Sequence, residues 1–256
     1  MDILLTNDDG VHAPGLRALE AVLAAEHTVT IVAPDRERTA IGHAITLHQP
    51  LRAERVCENG GSPAFAVNGT PADCVKLALL DLLGRTPDLV ISGLNRGANV
   101  GVNINYSGTV AAAREAALRG IPAIAASIAS GAPYPPRQAA SFVARLVARL
   151  SLRRLPPRTL LNVNFPAVPW EEIAGVRPSR QGLTLFAEYV EKRLDPRRQP
   201  YYWQGADTQD FEDDPEVDGA ALRRRFITVT PISCDATDYR LLAELGSWDL
   251  GPPADG

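Results

Sequence analysis

The sequence predicts an α/β fold: a Rossmann-like, mostly parallel sheet with helices on both faces. Three observations predict it. Short apolar runs alternate with stretches of helical spacing through the first 166 residues. Proline and glycine punctuate these stretches where helices start and stop. The chain has 256 residues, 45% hydrophobic and 22% charged, enough to bury a full core without disulfide or metal staples.

Asp2 to Thr6 reads as a buried strand, Gly15 to Glu26 as an amphipathic helix, and Thr28 to Ala33 as a strand stopped by Pro34. Ile45 to Val67 breaks the alternation. Two extended stretches there flank Asn59-Gly60-Gly61, the signature of a β-hairpin. Pro71 to Leu83 is a helix with proline at its first position, and Asp88 to Ser92 a strand. Thr109 to Arg119 is a helix ended by Gly120, followed by the strand Pro122 to Ala126. A helix from Pro136 to about Leu150 and the strand Thr159 to Asn164 complete the alternating part. Strand–helix alternation of this kind builds a parallel sheet covered on both faces.

Beyond Pro166 the pattern changes. Val176 to Ile232 mixes short extended runs with Arg, Glu, Pro and Tyr, including Tyr201-Tyr202-Trp203, and cannot bury much core by itself. It reads as an arm, or as a hairpin that orders on a partner subunit. The whole chain, 1–256, is one domain: a core over about 1–166 that carries the site, and an extension over about 167–256.

The net charge of −4 argues against a surface that grips a nucleic acid polymer through its phosphates. Cys57, Cys74 and Cys234 are odd in number and widely spaced, which suits a reducing compartment rather than a disulfide framework. MDILLTNDDG lacks the basic and apolar regions of a leader, and no apolar run approaches the roughly 20 residues of a membrane span. A cytoplasmic protein without membrane attachment is expected.

Thr6-Asn7-Asp8-Asp9-Gly10 follows the first strand directly, at the carboxyl end where α/β sheets bind ligands. Adjacent carboxylates repel one another unless a cation lies between them or one is protonated. Hard oxygen donors suit Mg²⁺ or Mn²⁺. The same residues also make an ordinary solvated turn. The acids lack the one-residue separation of aspartyl-phosphate phosphatases, so no covalent aspartyl intermediate is expected.

Ser92 to Asn99, SGLNRGAN, follows another strand with amides and glycines able to bind a cation or an anion. Ser107-Gly108-Thr109 opens a helix, which makes either a phosphate cradle or a plain N-cap. Pro34 to His43 is a polar loop after the second strand. These three strand-end loops converge at one edge of the sheet with the start of that helix.

TNDDG, SGLNRGANVG and YSGTVAAAREAAL together resemble the SurE family of nucleotidases. The likeness continues through Leu160 to Pro166, Arg180-Gln181-Gly182, Pro200 to Trp203 and Thr228 to Pro231, and so spans nearly the whole chain. The resemblance implies one divalent ion per subunit, Mg²⁺ or Mn²⁺, held by Asp8, Asp9, Thr39 and Asn95. It implies a phosphate pocket from Asn99, Ser107, Gly108 and Thr109. It also implies a homodimer or homotetramer built through an exchanging C-terminal arm. The implied activity is release of phosphate from nucleoside 5′-monophosphates, with 3′-nucleotides and short polyphosphate as further substrates. Asp8 and Asp9 are the catalytic pair, with Asp9 the candidate to accept a proton from the attacking water. The chain departs from the family at Thr39-Ala40, where Ser-Gly is usual, and at Val102 to Asn105, which lacks a common acid.

Two other nucleotide-using classes are excluded. No GxGxxG follows the first strand, and Lys76 and Lys192 lie in no P-loop. A non-catalytic nucleotide-binding module is the remaining rival. The Asp8-Asp9 pair argues against it, because carboxylates beside a phosphate are unfavourable without a cation.

Overall fold

The structure, a computed structural model, describes residues 1–56, 61–131, 133–153, 155–184, 188–206, 213–248 and 251. In chain order the elements are β1 (Asp2–Thr6), α1 (Pro14–Leu23), β2 (Thr28–Pro34), β3 (Ala53–Val56), β4 (Ala64–Val67), α2 (Pro71–Leu77) and β5 (Leu89–Arg96). Then follow α3 (Gly108–Leu118), β6 (Ala123–Ile128), α4 (Pro136–Leu150), β7 (Thr159–Phe165), β8 (Gly175–Pro178), β9 (Glu188–Leu194), β10 (Pro200–Ala206), α5 (Asp218–Arg223), β11 (Phe226–Ser233) and α6 (Tyr239–Leu245).

Nine strands form one sheet in the order β3-β4-β2-β1-β5-β6-β7-β11-β8. Its pairs are parallel except β3 with β4 and β11 with β7. From β1 the chain winds first to β2 and later crosses to β5 on the other side. The β1/β5 boundary is therefore the topological switch point, where the loops leaving two adjacent strands diverge and open a crevice.

Both faces of the sheet are buried, which is why the central strands read as continuous apolar runs. Ile3 and Leu5 pack with Leu16, Leu19 and Leu23 of α1 and Val143 and Val147 of α4. Leu4 points the other way and packs with Val75 of α2 and Val110 and Ala113 of α3. Each fully buried leucine or valine here contributes roughly 1.5–3 kcal/mol of transfer free energy.

The first helix stops at Leu23 rather than Glu26, because Ala24, Ala25 and Glu26 form a turn leading into β2. The second begins at Pro71 under a capping box between Thr70 and Asp73, then loosens into a π-turn over Ala78–Leu82. The strand expected over Asp88 to Ser92 runs on to Arg96, its pairing with β6 shifting in register between Ser92 and Asn95. The 45–67 segment supplies the antiparallel pair β3/β4, while Asn59 and Gly60 at its tip lie outside the described residues. Cys74 is buried in α2, Cys234 is half-buried, both are free, and Cys57 lies outside the described residues.

The last third of the chain divides in two. β9 and β10 form a separate antiparallel ribbon that exposes Tyr201, Tyr202 and Trp203. β11, in contrast, returns to the main sheet and buries Ile227, Thr228, Thr230 and Ile232 against β7 and its surroundings. A segment that buries little by itself thus gains a core strand by pairing with one already built. Among the described residues no helix is long and apolar enough to cross a membrane.

Candidate active site

Asn7 shapes the turn after β1. Its side-chain nitrogen donates to the Gly10 carbonyl at 2.9 Å, and its Oδ1 accepts from the Gly10 N–H at 3.1 Å. This local bridge presents Asp8 and Asp9 at the switch point. The loop after β2 folds back over them: the Arg38 N–H donates to the Asp8 carbonyl at 2.7 Å, and Val11 N–H to Pro34 at 2.9 Å. A cleft of about 900 Å³ opens here, lined by Asp8, Asp9, Glu37, Thr39, Asn95, Arg96, Asn99 and Ser107 among others.

The electrostatics of the cleft are one-sided. Burial pushes the Asp8 carboxyl above its ordinary range, against hydrogen bonds from Thr109, and the nearby Glu37 adds to the rise. Asp9 is pushed up to about 6 by burial, then by Asp8 and Glu37, with Arg96 opposing. Arg96 is the cationic side chain among the described lining residues, and its guanidinium sits over the Tyr134 ring at 4.9 Å. Three acids share one cleft, and the charged forms of Asp8 and Asp9 are disfavoured unless more positive charge is brought to them.

Two carboxylates with neutral oxygens and no thiol or imidazole is the donor chemistry of a hard divalent cation. The Asn95 amide nitrogen donates to the Gly97 carbonyl at 2.7 Å, which leaves its carbonyl oxygen as the available donor atom. Thr39 points its hydroxyl at Glu37. No group of three or more His, Cys, Asp or Glu among the described residues is arranged to hold a metal. A cation here therefore relies on neutral oxygens beside Asp8 and Asp9. The residues present fit such an ion.

Ala40, where the family usually has glycine, adopts φ +54°. That left-handed conformation costs a residue with a Cβ about 1–2 kcal/mol and explains the usual glycine. The loop carries that strain at Ala40.

Asn99 is fixed more completely than any spacing rule anticipates. Its N–H donates to Asn164 Oδ1 at 2.7 Å, and its carbonyl accepts from Asn162 Nδ2 at 2.7 Å and Asn164 Nδ2 at 3.2 Å. Its side-chain nitrogen donates to Ser127 Oγ at 2.8 Å. Asn162, Asn164 and Ser127 are fully buried on β6 and β7, so the strands beneath the cleft hold this residue in one orientation.

The start of α3 divides its work. Ser107 lines the cleft and caps the helix, its hydroxyl oxygen accepting from the Val110 N–H at 3.1 Å. Thr109, expected in the phosphate pocket, instead lies fully buried behind Asp8 and gives it both donors: hydroxyl to Oδ1, N–H to Oδ2 at 3.2 Å. The cause is proximity. A Cβ on Gly108 would meet Asp8 Cβ at 2.9 Å, so only glycine lets the helix approach that carboxylate. Gly108 and Thr109 thus support Asp8 rather than line the cleft.

Sequence reasoning missed several cleft residues. Glu37 sits in a charged run, Asp35 to Arg38, that reads as solvated loop. Tyr189, Val190, Gln204 and Gly205 come from the β9–β10 ribbon, nearly two hundred positions from Asp8. His43 pairs with Glu115 at 3.0 Å, and neither it nor His12 is among the described residues lining the cleft.

Residues 3–188 match the family model described as survival protein SurE. The 5′-nucleotidase SurE of Desulfatibacillum aliphaticivorans is 58% identical, with 99% of this chain and 100% of the relative covered. That of Syntrophobacter fumaroxidans is 49% identical, with 98% and 100% covered. The crystal structure of the SurE protein from Aquifex aeolicus superposes with a TM-score of 0.83 at 36% identity, covering 96% of this chain and 99% of that one. With the motif residues gathered at one switch-point cleft and the likeness running end to end, the chain belongs to the SurE family.

Proposed function

We propose that this chain is a phosphatase that hydrolyses nucleoside 5′-monophosphates to nucleoside and phosphate. The observation that carries the reading is the meeting of Asp8, Asp9 and Asn95 with Asn99 and Ser107 in one cleft. Relatives similar over their full length carry the name 5′-nucleotidase SurE.

Membership of the family implies a divalent cation, and Asp8, Asp9, Thr39 and Asn95 are the residues that would hold it. Bound there, such an ion supplies Lewis-acid polarisation of a phosphoryl oxygen and a more acidic water. Asn99, clamped from below, and the Ser107 hydroxyl orient the phosphoryl oxygens. Gly108 lets the positive end of α3 come close behind Asp8, and Thr109 keeps Asp8 in register. Asp9, the less buried acid, accepts the proton of the attacking water. Arg96 stabilises negative charge on the transferring group.

The test is phosphate release from 5′- and 3′-mononucleotides and short polyphosphate with Mn²⁺, Mg²⁺ or EDTA. Release from 5′-monophosphates that needs Mn²⁺ or Mg²⁺ and stops in EDTA is expected. Folded protein that releases nothing with any metal would replace this reading with a nucleotide-binding module.

We assign subunit exchange in a homodimer or homotetramer to the C-terminal extension, in which α6 buries none of its residues and leaves Tyr239, Leu241 and Leu242 exposed. The β9–β10 ribbon, two strands with no core of their own, leaves Tyr201, Tyr202 and Trp203 exposed on β10 for a further subunit contact. Sedimentation of the intact chain as a single subunit would remove this part of the reading.

A further inference from the structure

The cleft has room for much more than a phosphate group. It extends from the acids to the ribbon, and its volume of about 900 Å³ lies at the upper end of small-molecule sites. At the ribbon end Tyr189 and Gly205 face each other as register partners. Their fit is close: a Cβ on Gly205 would meet Tyr189 Cζ at 2.4 Å, its hydroxyl oxygen at 2.6 Å and Cε1 at 2.8 Å. The ring therefore lies across the neighbouring strand in space that only glycine leaves open. It is backed on one side by the Gly205 backbone, yet 51% of the residue remains exposed and it lines the cleft. A ring braced by the neighbouring strand and half exposed at the cleft can serve as a stacking platform.

We propose that Tyr189, braced on Gly205, stacks the base of a nucleotide whose phosphate lies between Asp8, Asp9, Asn99 and Ser107. This inference rests on the phosphatase reading and adds the subsite that recognises the base. Every base presents a π face, so the platform accepts purines and pyrimidines and fails for a substrate with no base. Edge selectivity belongs to polar neighbours such as Gln204, which lines the same end.

The test compares AMP with ribose 5-phosphate, which keeps the sugar and ester but lacks the base. Steady-state kinetics with Mn²⁺ are measured for the intact chain and for Tyr189→Ala, Tyr189→Phe and Gly205→Ala, alongside equilibrium dialysis of AMP. For Tyr189→Ala, KM for AMP is expected to rise about tenfold with kcat held. Ribose 5-phosphate turnover is expected to stay unchanged. Tyr189→Phe is expected to behave as the intact chain, and Gly205→Ala, which displaces the ring, to raise KM for AMP as well. Equal losses on both substrates, or an unchanged KM for AMP, would overturn the proposal. If the intact chain releases phosphate from neither substrate, the phosphatase reading fails and dialysis decides the stacking. About tenfold weaker AMP binding by Tyr189→Ala then supports it, and equal or absent binding overturns it.

Discussion

Replacing Asp8 with Asn is expected to lower kcat/KM for a nucleoside 5′-monophosphate by about a thousandfold or more, while the chain stays folded. The carboxylate is the most buried acid of the cleft, 5% exposed, and stands at the end of β1 where the site opens. Losing its charge removes half of the Asp8–Asp9 pair that would hold a cation. Several kcal/mol of transition-state stabilisation at about 1.36 kcal/mol per decade corresponds to that loss. The fold should tolerate the change because Asn has nearly the same shape. Its oxygen can accept from the Thr109 N–H and its nitrogen can donate to the Thr109 hydroxyl, replacing both present bonds. Burial already disfavours the charged form of Asp8, so the Tm of the variant in EDTA should hold or rise. Phosphate release and thermal unfolding with and without Mn²⁺ check both halves. A variant that keeps most of its activity would refute the metal-centred scheme.

Replacing Asn164 with Ala is expected to damage both stability and catalysis, although Asn164 does not line the cleft. Its amide pairs with the backbone N–H and carbonyl of Asn99, a two-point clamp inside the protein. Truncation leaves the Asn99 N–H without its partner, at a cost of about 1–3 kcal/mol. The carbonyl keeps its bond to Asn162, so Asn99 is loosened rather than released. A displacement near 1 Å at a positioning group costs about a hundredfold in rate, and kcat should fall by about 10- to 100-fold. Denaturant unfolding measures the first effect. Turnover at saturating substrate, well below the unfolding temperature, measures the second. Loss of stability with unchanged kcat would reduce Asn164 to a structural role.

These two residues differ in how visible they are before the structure. Asp8 stands beside Asp9, Asn7 and Gly10 directly after an apolar strand, and local order alone marks it. Asn164 lies in a strand whose apolar neighbours identify only the strand. Its purpose exists because β7 runs two strands from β5 in the finished sheet. Thr109 illustrates the same limit. The hydroxyl at a helix start was legible, but its partner was decided by how closely Gly108 lets α3 approach β1.

The alternation of apolar runs and helical spacing by itself determined the parallel core, because burial on both faces requires near-continuous apolar strands. It also determined the strand-end position of Asp8, Asp9, Asn95 and Asn99, and proline marked where α2 begins. Only the tertiary structure decided the return of β11 to the sheet. The apolar content of that strand is diluted by Thr228, Thr230 and Pro231 until β7 pairs with it. Only the tertiary structure brought Glu37, Tyr189 and Gly205 into the cleft. Periodicity records which side of an element is buried, whereas contacts between distant segments are set by packing, which no local pattern encodes.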